Sequence, residues 1–269
     1  GEWFWGVDRL PHLQRRLVEL GLGLVANAPP VLPQREVQCR VKPRNGVRPQ
    51  LHFYCSLRSP YTYLAVPRMR QLAEHYGADL CLRPVLPMAM RGLPVPLAKR
   101  LYIVRDCKRE ADRLGLPFGR IADPLGAPTE RGLAVLFKAM EQHRDASEFL
   151  ESFMRGVFAE GIDAGSESGL LRLAQRAGLD QALVQAALAD DGWRVEAEGH
   201  LYRPAQTTSL ELRSGIDWFE LHGGVDFGFA GFMHHADQRV VERRALLELL
   251  GGGYKLAINK IQDLFHSVL

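Results

Sequence analysis

The chain has 269 residues, 46% of them hydrophobic, which is enough apolar material for one large core or two modest ones. Its net charge is only +3 and its basic residues are scattered, so nucleic acid is not an expected partner. The four cysteines form no C-x-x-C pair and have no histidines at zinc-ligand spacing, which argues against a zinc site or a disulfide framework.

A proline-rich stretch divides the chain near its start. Residues 28–49 hold five prolines and little apolar periodicity, which predicts a linker between folded pieces. After it, the pattern of apolar residues predicts a strand at 50–55, a helix at 60–76 and a second strand at 79–84. A helical block follows, with predicted helices at 96–115, 129–143, 147–159, 167–177 and 180–190. This order predicts a βαβ unit followed by a helical insertion.

Beyond Trp193 the pattern changes to short strands. They are predicted at "TTSLEL", "DWFEL" and "VDFGFAGF", with helices at 237–250 and 254–267. The predicted organisation is therefore a segment at 1–27, the linker, a unit at 50–205 that contains the insertion at about 95–192, and a strand-rich and helical segment at 206–269.

The junction between the first strand and the first long helix carries the pair Ser59-Pro60. Serine is a good helix N-cap and proline is well accepted at the first helical position, so one interpretation is a simple cap. A strand that runs into a helix also brings free N–H groups and the positive end of the helix dipole to the edge of the sheet, where an anion such as a thiolate is stabilised. The residues alone leave both interpretations open.

The stretch "FYCSLRSPYTYLAVPRM" resembles the "FYFDFxSPYSYLA" signature of the 2-hydroxychromene-2-carboxylate isomerases and the kappa-class glutathione transferases, within the DsbA-like thioredoxin superfamily. In that family the serine stands where redox relatives carry the first cysteine of C-x-x-C, and it holds the sulfur of glutathione as a thiolate. The resemblance implies that Ser59 is the catalytic residue, and that Ser59, Pro60 and Tyr61 contact the glutathione cofactor.

A second segment of the family has its counterpart in Tyr102, Asp106 and Arg109, followed by "GLPF". The resemblance implies that these three residues bind substrate, whereas their i, i+4, i+7 spacing is also typical of a solvated helix face with ion pairs. Two departures from the family pattern, Ser56 and Glu110, stand where the family usually has an aspartate and a tryptophan.

The ending of the family fold is not found where it is expected. Pro204 is the one proline after residue 195, without the Gly-Val that precedes the cofactor-binding cis-proline of the family. The family-like ending, "WFWGVDRL", stands at the front instead, with Asp8 and Arg9 where relatives hold the γ-glutamyl end of glutathione. Either residues 1–27, predicted as a strand and a helix, dock onto the sheet with Glu2 to Trp5 as a strand, or they are the tail of a preceding unit. A further alternative for Asp8 and Arg9 is an ordinary helix start.

We therefore expect an α/β, thioredoxin-like fold with a helical insertion domain of the DsbA type. The expected activity is that of a glutathione-dependent isomerase, or a transferase, acting on a small aromatic or unsaturated substrate. The alternatives are a non-catalytic binding or scaffold module, and an oxidoreductase relative that lacks the C-x-x-C. No metal ligands are predicted: adjacent histidines at 234 and 235 point to different sides of a helix or strand, and Cys55 is expected to be an inert core residue.

The expected partner is a small-molecule substrate. Assembly of the chain into a homodimer is left open. No run of about 18 apolar residues occurs, so membrane association is not expected. The first residues also lack the pattern of a secretory signal, so the expected location is cytoplasmic.

Overall fold

In the part of the chain that the structure describes, the centre of the fold is a parallel three-stranded sheet, in which the first strand of the chain lies between the second and the third. A computed structural model describes residues 1–23, 29, 50–202 and 210–213. The strands are β1 (Gln50–Cys55), β2 (Asp79–Pro84) and β3 (Leu210–Arg213). Leu51 lies beside Leu80 on one side and Leu210 on the other. Every residue of β1 after Gln50 is buried, because both of its edges are paired and its faces are covered.

Helix α2 (Pro60–Tyr76) connects β1 to β2 and makes the βαβ unit that the sequence predicts. It begins with Pro60 at the first helical position, where the missing N–H costs nothing. It ends at Gly77, whose φ of 59° is the left-handed conformation that glycine adopts without strain. Its buried face, which includes Leu64 and Val66, packs into the core.

The helical insertion follows β2. Its helices are α3 (Leu97–Leu114), α4 (Ala127–Glu141), α5 (Ala146–Arg155), α6 (Glu167–Arg176), α7 (Gln181–Leu188) and α8 (Trp193–Tyr202). Side chains cap three of them: Asp145 at α5, Ser166 at α6 and Asp180 at α7 each accept hydrogen bonds from backbone N–H groups of the first turn. A wider helical turn at Gly156–Glu160 extends α5.

The insertion and the βαβ unit share one hydrophobic core. Phe53 of β1, Leu57 of the following turn, and Phe149 and Phe153 of α5 are all essentially inaccessible to solvent. Gly132 of α4 lies where a Cβ atom would stand 2.5 Å from the ring of Phe153 and 2.8 Å from Leu57. The insertion therefore packs directly behind the turn that carries Ser59.

Residues 1–23, which we call the front segment, pack against α3 rather than joining the sheet. After a single helical turn at Val7–Arg9 the segment forms α1 (Leu10–Glu19). The expected strand at Glu2 to Trp5 is wrong, because the main chain there finds other partners. The carbonyl of Trp3 accepts a hydrogen bond from Arg109 at 3.0 Å, and the amide of Trp5 donates one to the hydroxyl of Tyr102 at 3.0 Å.

The predicted elements between residues 50 and 190 are all confirmed, with boundaries within a few residues. The strand predicted at "TTSLEL" is confirmed as β3, while α8 occupies a stretch before it for which the sequence pattern predicted no element. The other elements predicted beyond residue 213 lie outside the described residues, as does nearly all of the predicted linker. None of the helices in the described ranges has the length and apolar character needed to cross a membrane.

Candidate functional site

Ser59 lies at the N-terminus of α2, at the end of the sheet where β1 stops. Its φ and ψ of −93° and 113° are those of an N-cap, yet its side chain makes no capping hydrogen bond. The residue is partly exposed, whereas Pro60 after it is buried. Within the described ranges the N–H of Tyr61 also has no hydrogen-bond partner. Two donors at the positive end of a 17-residue helix are thus free to bind an anion.

The turn before Ser59 is fixed by its own neighbours. The N–H of Ser59 donates to the carbonyl of Ser56 at 3.0 Å, and the N–H of Ser56 donates to the hydroxyl of Thr62 at 3.2 Å. Arg58 donates two hydrogen bonds, both of 2.7 Å, to the carboxylate of Asp123 in the loop between α3 and α4. The insertion therefore holds the residue immediately before Ser59.

A buried carboxylate joins the front segment, α2 and α3. Asp106 is fully buried, and its two oxygens accept hydrogen bonds from Arg9 at 2.7 and 2.9 Å. They also accept the hydroxyl protons of Tyr61 at 2.8 Å and Tyr102 at 3.2 Å. We call these four residues the Asp106 cluster. Its bidentate arginine and two phenols satisfy the carboxylate fully, as a buried charge requires.

The electrostatics of the Asp106 cluster follow from burial and pairing. Burial disfavours the charge of Arg9, but the hydrogen bonds and the charge of Asp106 outweigh it and raise the pKa of the guanidinium. Burial, together with the neighbouring Cys107 and Asp106, raises the pKa of Tyr61, and burial followed by the Asp106 charge raises the pKa of Tyr102 to about 12. Both phenols therefore stay protonated near neutral pH and act as donors to Asp106.

One turn further along α3, a second buried carboxylate holds the front segment. Glu110 lies 2.5 Å from Nε2 of His12, and Arg113 donates to its other oxygen at 2.6 and 3.0 Å. Burial alone would raise the pKa of Glu110, but the hydrogen bonds from His12 and Arg113 and the charge of Arg9 together lower it to about 2. Glu110, a departure from the family pattern, thus has a structural explanation in this chain.

The structure brings together some of the residues that the sequence singled out. Tyr102 and Asp106 lie with Tyr61 and Arg9 in one cluster, so the alternative of a solvated α3 face is wrong. Arg109 points instead to the front segment, with its guanidinium 4.1 Å from the ring centre of Phe4.

Asp8 and Arg9, the two candidate glutathione-binding residues of the front segment, differ in solvent exposure. Arg9 is 7% exposed, and its three nitrogens all contact carboxylates, including that of Asp8 at 2.5 Å. Its guanidinium is therefore engaged within the protein. Asp8 is partly exposed and burial raises the pKa of its carboxyl group. Pro204 lies outside the described residues.

Sequence reasoning missed His12, Arg58 and Asp123. Glu110 could have pointed to His12. An acidic residue in place of a large apolar one on a buried helix face needs a counter-charge from elsewhere in the chain. Arg58 and Asp123 carry no such signal, since an arginine before a turn and an aspartate in a loop are both common on protein surfaces.

Two of the three cysteines in the described ranges are not placed for redox chemistry. Cys55 and Cys107 are fully buried, and burial raises the pKa of both thiols, that of Cys55 to about 12. At C-x-x-C spacing the start of α2 has Ser59 and Thr62, neither of which can form a disulfide. Cys55 is therefore the inert core residue that the sequence predicts.

Comparisons with known proteins find several similar solved structures and one matching family model. Among solved structures, the chain is similar to a putative protein disulfide isomerase from Nitrosomonas europaea, at 15% identity and a TM-score of 0.46, covering 57% of this chain and 76% of that one. It is also similar to a 2-hydroxychromene-2-carboxylate isomerase and to the cytosolic disulfide reductase DsbM from Pseudomonas aeruginosa. Each of these is 21% identical with a TM-score of 0.45, and the match covers 56% of this chain and 76% of that one. No curated protein matches the chain.

The family model of the DSBA-like thioredoxin domain matches residues 50–199, which include strands β1 and β2, the Ser59 turn and the helical insertion as far as the middle of α8. The fold is thus α/β and thioredoxin-like with a helical insertion, and because the match covers more than half of its length, the chain belongs to the DSBA-like thioredoxin domain family.

Proposed function

We propose that the chain is a glutathione-dependent isomerase of the 2-hydroxychromene-2-carboxylate isomerase type, or a closely related transferase, that acts on a small aromatic or unsaturated substrate. One observation carries the proposal. Ser59 has the backbone conformation of an N-cap but its hydroxyl leaves the helix uncapped, which keeps it free for a ligand at the N-terminus of α2. The Ser-Pro motif around it resembles the glutathione site of that family.

The chemistry follows from an anion held at this helix end. The hydroxyl of Ser59 and the N–H of Tyr61 would donate hydrogen bonds to the glutathione sulfur, which lowers the thiol pKa and keeps the thiolate present at neutral pH. The thiolate adds to an electron-poor carbon of the substrate, forming a C–S bond while the π electrons move to the conjugated carbonyl oxygen. The former C=C bond of the substrate is now a single bond, so the adduct can rotate about it, and elimination of the thiolate then re-forms the double bond and returns glutathione and an isomerised product.

Release of the adduct instead of elimination would make the same site a transferase. Both outcomes need the same thiolate, so the difference lies in the substrate and in how the adduct is held. Asp8, which is partly exposed and precedes Arg9, is the front-segment residue that we assign to the γ-glutamyl end of glutathione. The guanidinium of Arg9 is already bound to the carboxylate of Asp106, so it is better suited to holding that residue in place than to contacting glutathione directly.

A disulfide oxidoreductase is the weaker candidate, because Ser59 and Thr62 cannot exchange disulfides and the buried thiols of Cys55 and Cys107 are inert. A non-catalytic module would differ from the proposed enzyme in one measurable property, because it would not recognise the sulfur of glutathione.

Calorimetric titration of the full chain with glutathione and with S-methylglutathione tests the proposal. We expect glutathione to bind and the S-methyl analogue to bind more weakly, since it cannot form a thiolate. Absence of binding, or equal binding of both compounds, would count against a glutathione enzyme and in favour of a scaffold.

A further inference from the structure

Three contacts hold the residues on either side of Ser59. Arg58 is bound by Asp123, and Thr62 is bound by the main chain of Ser56, so these two contacts lie within residues 50–199. The third contact joins Tyr61 to Asp106. It differs from the others because Asp106 is also held by the front segment, through Arg9.

The contact between Tyr61 and Asp106 depends on Arg9 for a physical reason. Asp106 is fully buried, and without the guanidinium two phenols would be its remaining hydrogen-bond partners among the described residues. A buried carboxylate with no counter-charge is strongly destabilised, and it becomes protonated or the surrounding structure rearranges. A protonated carboxyl group is itself a donor, so the arrangement of hydroxyl protons around Asp106 would change as well.

Tyr61 transmits any such change to the candidate site. It is two residues after Ser59 in the first turn of α2, and the hydroxyl at the end of its rigid ring is anchored on Asp106. Its own N–H is the second donor that we assign to the thiolate. A shift of its ring that carries the first turn of α2 with it displaces both donors, and catalytic geometry is sensitive to displacements of about 1 Å.

We propose that Arg9 and Asp106 are positioning residues for the Ser59 site, so that the front segment sets the geometry of the start of α2 through Tyr61. The inference rests on the proposed function, because it concerns the donors to the glutathione sulfur. Its consequence is that residues 1–23 belong to the site functionally, although the linker separates them from residues 50–199 in sequence.

The test compares three full-length variants. Tyr61→Phe removes only the hydroxyl that joins α2 to Asp106 and keeps the ring, so it is expected to fold. Arg9→Lys keeps a positive charge but loses the bidentate geometry. His12→Gln is the matched control, because His12 joins the same segment to the same helix through Glu110 without contacting Tyr61 or Asp106.

Two readouts are measured for each variant. The first is the pH midpoint of the thiolate absorbance of bound glutathione, which we expect to rise by about one unit, a tenfold change in thiolate stability, in Tyr61→Phe. We expect a smaller rise in Arg9→Lys and none in His12→Gln. The second, which needs no glutathione, is hydrogen exchange of the amides in the first turn of α2, and we expect it to accelerate in the same order.

The outcomes separate the inference from the proposed function. If the parent protein does not bind glutathione, the proposed function fails and the exchange readout alone decides whether the front segment positions α2. If glutathione binds but Tyr61→Phe leaves both readouts unchanged, the inference is overturned and the proposed function stands. Equal shifts in His12→Gln and Tyr61→Phe would also overturn it, since they would indicate general loosening of the segment.

Discussion

Replacement of Ser59 by alanine tests whether this residue caps α2 or binds a ligand. Replacement of a helix-capping serine by alanine lowers the free energy of unfolding of a protein by about 1 kcal/mol. Ser59 makes no capping hydrogen bond, so we expect Ser59→Ala to cost less than about 0.5 kcal/mol. Ser166, whose hydroxyl accepts the N–H of Gly169 at 3.1 Å, provides the control, and Ser166→Ala should show the full cost of a lost cap.

The same two variants should behave in the opposite order in activity. Loss of one donor to a developing or held anion commonly costs about 10²-fold or more in rate, so glutathione-dependent turnover should fall steeply in Ser59→Ala and not in Ser166→Ala. Urea unfolding gives the free energies, and the thiolate absorbance of bound glutathione reports on the site before a substrate is known. The reasoning is refuted if Ser59→Ala is destabilised as much as Ser166→Ala while the bound glutathione stays a thiolate.

Three further predictions concern stability and reactivity. Because the pKa of Glu110 falls from 4.5 to about 2 on folding, its pairing should stabilise the protein fully above pH 4.5, and this contribution should be lost as the pH falls from 4.5 towards 2. Urea unfolding across this range should show the advantage of the parent over Glu110→Gln shrinking, and a constant difference would contradict the pairing. Gly132→Ala should cost about 1–3 kcal/mol, since its Cβ would lie 2.5 Å from Phe153, and an unchanged unfolding midpoint would mean that the core adapts there. The thiols of Cys55 and Cys107 should react with a disulfide reagent only after denaturant is added, and rapid labelling of either residue in the native protein, located by mass spectrometry, would contradict their burial.

Local signals in the sequence were sufficient for the βαβ unit. An apolar run, a Ser-Pro pair and an apolar-periodic helix that ends at glycine define β1, α2 and the position of Ser59 without reference to the rest of the chain. The i, i+4 spacing also placed Tyr102 and Asp106 on one face of α3 correctly. What the spacing could not decide was whether that face is solvated or buried.

The burial of that face depends on residues far away in sequence. Asp106 is buried because Arg9 binds it, and the two residues are 97 positions apart. The family resemblance drew attention to Arg9 but suggested that it contacts glutathione. The predicted strand at Glu2 to Trp5 was wrong for a similar reason, since a run of aromatic residues that resembles the last strand of the family does not reveal whether a sheet edge or a helix will satisfy its backbone.

The long separation between the front segment and α3 has a consequence for biosynthesis. Residues 1–23 leave the ribosome before α3, and at about 5–20 residues per second the 97 positions between Arg9 and Asp106 take about 5–20 s to translate. During that interval Phe4 has no Arg109 to cover its ring, and Arg9 and His12 have no carboxylates from α3. The nascent front segment therefore lacks its partners until α3 has been synthesised, and we expect a chaperone to be most useful to the chain in this period.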